Sequence, residues 1–260
     1  MHKFNWQKKK VVCTGVTSGI GLSLLQLLLT KPIHLTLLVR NKIKIKEILS
    51  KVHESYILSC KIVSINLDDA NMLINVKNTI ESTDILINNA GYGIFDEAQN
   101  ISDENERKLW QTNVLTPISL TKAVINYMYN QQSGLLVYTS SVAAHLPIPY
   151  SAIYNASKAA IEQYVNTLKI EAKKYNVKTL LITPGAVSTN FFTNADKNEL
   201  YTKYKKGSVN PLLIAQQIIK AIEKQKDRII VPKKLWFAIK LNNLWPNLVH
   251  KVLSKKFIKK

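Results

Sequence analysis

Residues 11–29, VVCTGVTSGIGLSLLQLLL, pass from an apolar run of strand length through a turn holding Gly15, Gly19 and Gly21 into an apolar helical pattern. Glycines at a strand-to-helix junction let the main chain approach a bulky anion closely, and the N–H groups and positive dipole end of the helix favour its charge. The spacing is G-x3-G-x-G, not the G-x-G-x-x-G of the general dinucleotide fingerprint. Taken alone, such a turn also serves as a plain tight connection; its position directly after the first strand favours a phosphate cradle. The chain has only eight glycines, so each is expected where the backbone requires it.

Outward from this stretch, further apolar runs at 33–39, 61–65, 84–88, 134–140, 177–183 and 228–231 have strand length. Between them, apolar residues recur at helical spacing over 19–30, 102–128, 153–174 and 211–225. Strands that are near-continuously apolar and alternate with helices predict a doubly wound α/β fold, a parallel sheet covered on both faces. No repeat, low-complexity tract or linker divides the 260 residues, which is one domain's length. A hydrophobic share of 46% and a charged share of 20% exclude wholesale disorder and a multi-span membrane protein. Cys13 and Cys60 lie in or beside apolar runs with no His or second Cys nearby, which reads as reduced core residues with no disulfide framework and no metal site. The opening MHKFNWQKKK lacks the apolar core and small-residue cleavage site of a secretory signal, so the expected location is cytoplasmic.

The end of the second strand bears on the ligand. A ribose 2′-hydroxyl is usually met by an acid about 20 residues after the glycines, whereas a 2′-phosphate asks for Arg. Here Val39-Arg40-Asn41 is followed by Lys42, Lys44 and Lys46, with no acid before Glu47. That pattern favours NADP(H), with Arg40 at the phosphate and Thr17 adding a hydroxyl; a solvated charge at a strand end is the plainer alternative for Arg40.

Further along, Tyr154 and Lys158 stand four apart in a helical segment and so share one face. A free tyrosine titrates near pH ~10; bringing it to neutrality takes about three units, or roughly 4 kcal/mol of phenolate stabilisation, which a neighbouring ammonium would help supply. Ser141 follows the strand at 134–140 directly, thirteen residues before Tyr154, with Ser140 beside it. Pro117 lies four residues after Asn113, where it cannot donate to the carbonyl of residue 113, leaving that carbonyl free to hold a water. His145 has no partner nearby in sequence and reads as a loop residue.

Together with TGVTSGIG at 14–21, the run Asn88-Asn89-Ala90-Gly91, Asn113, Ser141, Tyr154-Asn-Ala-Ser-Lys158, and Pro184-Gly185 with Val187 and Thr189 resemble the short-chain dehydrogenase/reductase family over about residues 10–231. The resemblance implies a Rossmann-type, seven-stranded parallel sheet with helices on both faces in a single domain. It implies catalytic roles for Asn113, Ser141, Tyr154 and Lys158, and prefers Ser141 over Ser140 by its offset from the tyrosine. Tyr154 would donate a proton to a carbonyl as hydride arrives, and Lys158 would also hold the nicotinamide ribose. Cofactor contacts would come from Gly15, Thr17, Ser18, Gly19, Ile20, Gly21, Arg40, Asn66, Leu67, Asn89, Ala90, Gly91, Tyr154, Lys158, Pro184, Gly185, Val187 and Thr189. One departure is Asn66, where the family commonly has an Asp that contacts adenine; weaker adenine recognition is the expectation. The family usually assembles through the helices carrying Asn113 and Tyr154, so a homo-oligomer is expected.

Residues 1–231 thus read as the dinucleotide-binding and catalytic domain, with a substrate loop at about 186–209 containing Phe191, Phe192, Tyr201 and Tyr204. Apolar and aromatic walls suit a lipophilic carbonyl or secondary alcohol. The alternatives are a 3-oxoacyl carrier reductase and a non-catalytic NADP-binding regulatory protein. Residues 232–260 form a basic, aromatic tail. The net charge is +19, and residues 201–260 hold fifteen Lys and Arg against two acids. The tail has no apolar run of about 20 residues and cannot span a bilayer. It can lie on an anionic membrane surface, or cover the pocket or a neighbouring subunit; nucleic acid ranks third, because no recognised module accompanies the charge.

Overall fold

The computed structural model describes residues 4–52, 60–189, 191 and 207–257. Its elements in chain order are β1 (Lys10–Thr14), α1 (Gly19–Leu29), β2 (His34–Val39), α2 (Lys42–Leu49), β3 (Cys60–Ser64), α3 (Lys77–Ile80), β4 (Ile85–Asn88) and α4 (Asp103–Trp110). A π-helical turn (Gln111–Leu115) leads into α5 (Thr116–Asn130), then β5 (Gly134–Thr139), α6 (Ala152–Ala172), β6 (Val177–Pro184), α7 (Pro211–Glu223) and β7 (Arg228–Val231). Two last helices, α8 (Leu235–Leu244) and α9 (Pro246–Phe257), follow the sheet.

All seven strands are parallel, in the order β3-β2-β1-β4-β5-β6-β7, which is the Rossmann-type arrangement expected. Successive strand residues face opposite sides, so each strand feeds two cores. Val11 and Cys13 join one core with α1 and α7, through Leu24, Leu25, Leu28, Ile214 and Ile218. Val12 joins the other with α5 and α6, through Leu120, Val124, Ile161 and Val165. The strand order reverses between β1 and β4, which opens a crevice at the carboxyl ends of the strands.

The helix expected over 102–128 runs from Asp103 to Asn130, but it is not a regular α-helix throughout. Proline at 117 lacks the donor that would close an ordinary turn. The chain instead widens: Thr116 N–H bonds the carbonyl of Gln111, one residue further back than in an α-helix. Asn113 sits in this widened turn and is buried. A second difference is α2, whose KIKIKEIL run alternates like a strand. Asn41 caps it by accepting from Lys44 N–H at 2.9 Å, and Ile45 and Leu49 anchor it in the core.

One buried polar link fastens α5 to β5 and so sets the carriers of Asn113 and Ser141 relative to each other. Thr121 Oγ1 donates to the Pro117 carbonyl at 2.7 Å and therefore accepts from Tyr138 Oη at 2.6 Å. Replacing Thr121 by Val strands the fully buried Tyr138 hydroxyl. Urea unfolding should show a loss of about 1–3 kcal/mol for Thr121→Val, with much of it recovered when Tyr138→Phe is added.

Candidate active site

The crevice holds a cavity of about 770 Å³ at the ends of β1, β4, β5 and β6. Its floor is the glycine turn. Gly15 and Gly19 adopt φ of +69° and +54°, where other residues are strained. A Cβ on Gly15 would meet the Ala90 backbone at 2.7 Å, and one on Gly21 would meet the Gly15 carbonyl oxygen at 1.9 Å. The turn after β1 is bonded to the turn after β4. Thr14 Oγ1 accepts from the N–H groups of Asn89 and Ala90 at 3.1 and 3.0 Å. Asn89 Nδ2 donates to the Gly15 carbonyl, and Thr139 Oγ1 donates to Asn89 Oδ1, both at 3.1 Å. Helix α1 has no side-chain cap and no acid in its first turn, so its leading donors are left to an anion. The cradle fits a dinucleotide pyrophosphate.

All the residues expected to contact cofactor line this one cavity: Gly15, Thr17 to Gly21, Arg40, Asn66, Leu67, Asn89 to Gly91, Tyr154, Lys158, Pro184, Gly185, Val187 and Thr189. Asn41, Lys44 and Asp68 border it as well. Arg40 keeps an exposed guanidinium 3.6 Å from Asp68 Oδ2, and Asp68 Oδ1 accepts from Thr112 Oγ1 at 2.5 Å. Asn66 Oδ1 accepts from the Asp68 N–H at 3.3 Å.

Tyr154, Lys158 and Ser141 also meet in this cavity, whereas Asn113 lies behind its wall. Ser141 caps a short 3₁₀ turn, its Oγ accepting from Ala143 N–H at 3.1 Å. That acceptor bond orients the hydroxyl and leaves its proton to give. Ser140 turns the other way, donating to Glu162 Oε2 at 3.2 Å. Lys158 Nζ donates to the Thr139 carbonyl at 3.0 Å and stands 5.8 Å from the Tyr154 ring centre. Asn113 grips the chain entering the site: its Oδ1 accepts from Tyr92 N–H at 3.1 Å, and its Nδ2 donates to the Tyr92 carbonyl at 2.9 Å and to Ser157 Oγ at 3.1 Å.

Burial governs the protons. It pushes Tyr154 up to about 12, against a hydrogen bond to Ser141 that acts the other way. It brings the Lys158 ammonium down to about 8. From the protein's own groups, then, desolvation outweighs the help the lysine was expected to give the phenol.

Phe95 and Phe191 close on Tyr154 with ring centres 5.7 Å from it in each case, making an aromatic wall. Leu253 of α9 packs against the same cluster. Phe192, Tyr201 and Tyr204 lie outside the described residues. The ends of the 186–209 segment are joined by a bridge between Val187 and Val209.

Sequence reasoning missed the braces Thr14, Thr139 and Tyr92, and it read His145 as partnerless. His145 Nε2 lies 2.9 Å from Glu162 Oε1, which also receives Arg228 Nη1 at 2.5 Å. Burial raises the Glu162 carboxyl, yet the hydrogen bonds from His145 and Arg228 prevail and hold it below the usual range. Glu162 is one helical turn beyond Lys158, the only local hint of the cluster. Among the described residues no group of His, Cys, Asp and Glu could hold a metal ion, and no helix is long and apolar enough to cross a membrane.

A family model described as short chain dehydrogenase matches residues 9–200. The chain is 27% identical over 267 residues to the zebrafish (Danio rerio) protein named dehydrogenase/reductase SDR family member 7B, covering 97% of this chain and 86% of the relative. Two solved structures share the fold: a short-chain dehydrogenase from Sphingobium yanoikuyae in complex with NADPH and one from Burkholderia phymatum in complex with NAD. The first has TM-score 0.81 at 20% identity, covering 93% of this chain and 95% of that one. The second has TM-score 0.83 at 19% identity, covering 94% and 96%.

Lys158 carries a measurable cost. Its folded value of about 8 lies below the ordinary 10.5. Between those values the unfolded chain binds more protons, so stability rises with pH across that window, and below it the buried charge costs on the order of 3 kcal/mol. Lys158→Met removes that cost and strands the Thr139 carbonyl, a loss of about 1–3 kcal/mol. The variant should match or exceed the wild type in thermal melting at pH 7, and its relative standing should fall as pH rises from 8 to 10.5. A variant clearly less stable at pH 7 would contradict this account.

Proposed function

The chain belongs to the short-chain dehydrogenase family, and from that premise we propose that it is an NADP(H)-dependent oxidoreductase that reduces a lipophilic carbonyl to its alcohol, with Tyr154 as proton donor. The observation that carries this reading is the convergence of Tyr154, Ser141 and Lys158 in one aromatic-walled cavity continuous with the glycine cradle. When bound, the nicotinamide supplies or removes the hydride.

The chain's own groups divide the remaining work. The turn from Gly15 to Gly21 would hold the pyrophosphate, with Asn66 and Leu67 toward adenine and Asn89 and Ala90 toward its ribose. Pro184, Gly185, Val187 and Thr189 would border the nicotinamide amide. Arg40, with Thr17 beside it, would meet the 2′-phosphate. Fold neighbours are found with either NADPH or NAD, so the preference rests on Arg40 and Lys44 at the cavity's rim and on the lack of an acid at the end of β2.

At neutral pH Tyr154, held near 12, is protonated, the state a general acid needs. Ser141, its Oγ fixed by Ala143 N–H and its hydroxyl bonded to Tyr154, would turn its proton to the carbonyl oxygen and stabilise the charge growing there. The Lys158 ammonium lowers the cost of the phenolate that remains after transfer and holds the nicotinamide ribose. Asn113 is a positioning residue: it fixes Tyr92 and Ser157, and the carbonyl that Pro117 leaves without its usual donor offers a seat for a relay water. Exposed Leu115 and Ile170, on the segments carrying Asn113 and Tyr154, support a homo-oligomer formed through them.

NADPH oxidation measured against aldehydes, ketones and acyl thioesters tests the reading. A lipophilic ketone or aldehyde should be turned over, and Tyr154→Phe should reduce the rate by about 10²–10⁴-fold. A phenylalanine variant as fast as wild type would remove Tyr154 from its role. Strong preference for the thioesters would favour a 3-oxoacyl carrier reductase instead. Separately, Arg40→Ala should raise the KM for NADPH by about 10- to 100-fold, the worth of a charged hydrogen bond, and leave that for NADH unchanged.

A further inference from the structure

Helices α8 and α9 stand outside the sheet and are seated on one side only. Ile239 is buried, Leu235 abuts Gly185, Asn242 Nδ2 donates to the His145 carbonyl at 2.8 Å, and Leu253 enters the cluster of Phe95, Tyr154 and Phe191. The opposite side is apolar and open. Phe237 is 69% exposed, Leu244 66%, Trp245 58% and Val252 56%. On α9, Leu248, Lys251, Val252 and Lys255 recur at helical spacing and all are exposed, so lysines and apolar groups share one face. Lys240 Nζ lies 5.5 Å from the Trp236 ring.

Charge selects the occupant of this face. Residues 233–260 contain eight lysines and no acid. A second copy docked through the same face in a two-fold contact would set lysine against lysine with no carboxylate from this segment to answer it. An anionic bilayer satisfies both features: its headgroups take the lysines, and its acyl boundary takes the aromatic and aliphatic groups while the lysine stems extend outward. The helices have ten and twelve residues, too short to cross a bilayer and suited to lying in its surface.

We propose that the α8–α9 pair is a docking surface for an anionic phospholipid bilayer, placed on the side of the fold where Leu253 meets the aromatic wall of the cavity. The inference stands apart from the redox reading, since docking is measured without turnover.

Flotation of the full chain with phosphatidylcholine vesicles, with and without phosphatidylglycerol, tests it. The protein should float with the phosphatidylglycerol vesicles, stay behind with pure phosphatidylcholine, and be released at high salt. The double variant Lys251→Glu/Lys255→Glu should weaken partitioning by at least about fivefold for each lysine. Phe237→Ser/Trp245→Ser should weaken it as well, with cooperative melting and circular dichroism confirming that both variants fold. Equal flotation on the two vesicle types would overturn the proposal. So would an absence of vesicle binding, whether or not sedimentation shows that Phe237→Ser/Trp245→Ser dissociates an oligomer; dissociation would assign the face to a second copy. The comparison of vesicle compositions uses the unmodified protein and decides the matter even if a variant misfolds.

Discussion

Two backbone turns touch with no room for a side chain between them, and much of the molecule is arranged around that contact. The turn after β1 meets the turn after β4 at Gly15 and Ala90, so closely that even a methyl group on Gly15 would collide. Thr14 and Asn89 bond across the junction, and Thr139 extends the link to β5. Contact at this point brings the reversal of strand order, the start of α1 and the ends of three strands into one place. The cradle and the cavity are one consequence of that geometry. The other is that the bracing residues are short polar side chains, since a large group would push the turns apart.

Helix α6 carries the proposed chemistry at a cost. Tyr154, Lys158 and Glu162 recur every four residues on its inner face, and all three are buried. Three polar groups on a core-facing stripe would destabilise a helix without partners. The chain answers each differently. Tyr154 stays neutral, Lys158 leans on a backbone carbonyl, and Glu162 keeps its charge through His145 and Arg228. The last group ties the loop after Ser141 to β7, so the loop bearing the serine hydroxyl is fixed from behind by an ion-pair cluster.

The sheet was almost wholly legible in the sequence, because a strand buried on both faces is apolar at nearly every position and its neighbours in the chain are helical. Strand limits fall within a residue or so of the apolar runs. Periodicity failed where it is ambiguous or interrupted: KIKIKEIL alternates like a strand but forms α2, and Pro117 hides a widened turn within a pattern that looks continuous. The lining of the site was legible through motifs at strand ends. Its bracing was not. Thr14 with Ala90, and Glu162 with Arg228, are separated by 76 and 66 residues, and long-range polar pairing leaves no local pattern to detect.

Little of the fold depends on Arg40. Its side chain is 77% exposed and its ion pair with Asp68 is loose, and substitutions at such positions usually change stability by less than about 0.5 kcal/mol. The parts that would handle bond chemistry are buried and bonded into the fold, while the group that would distinguish two dinucleotides sits at the rim. On the proposed cofactor reading, descendants of this sequence could therefore exchange one cellular pool of reducing equivalents for another through a change at this rim while the fold stays intact.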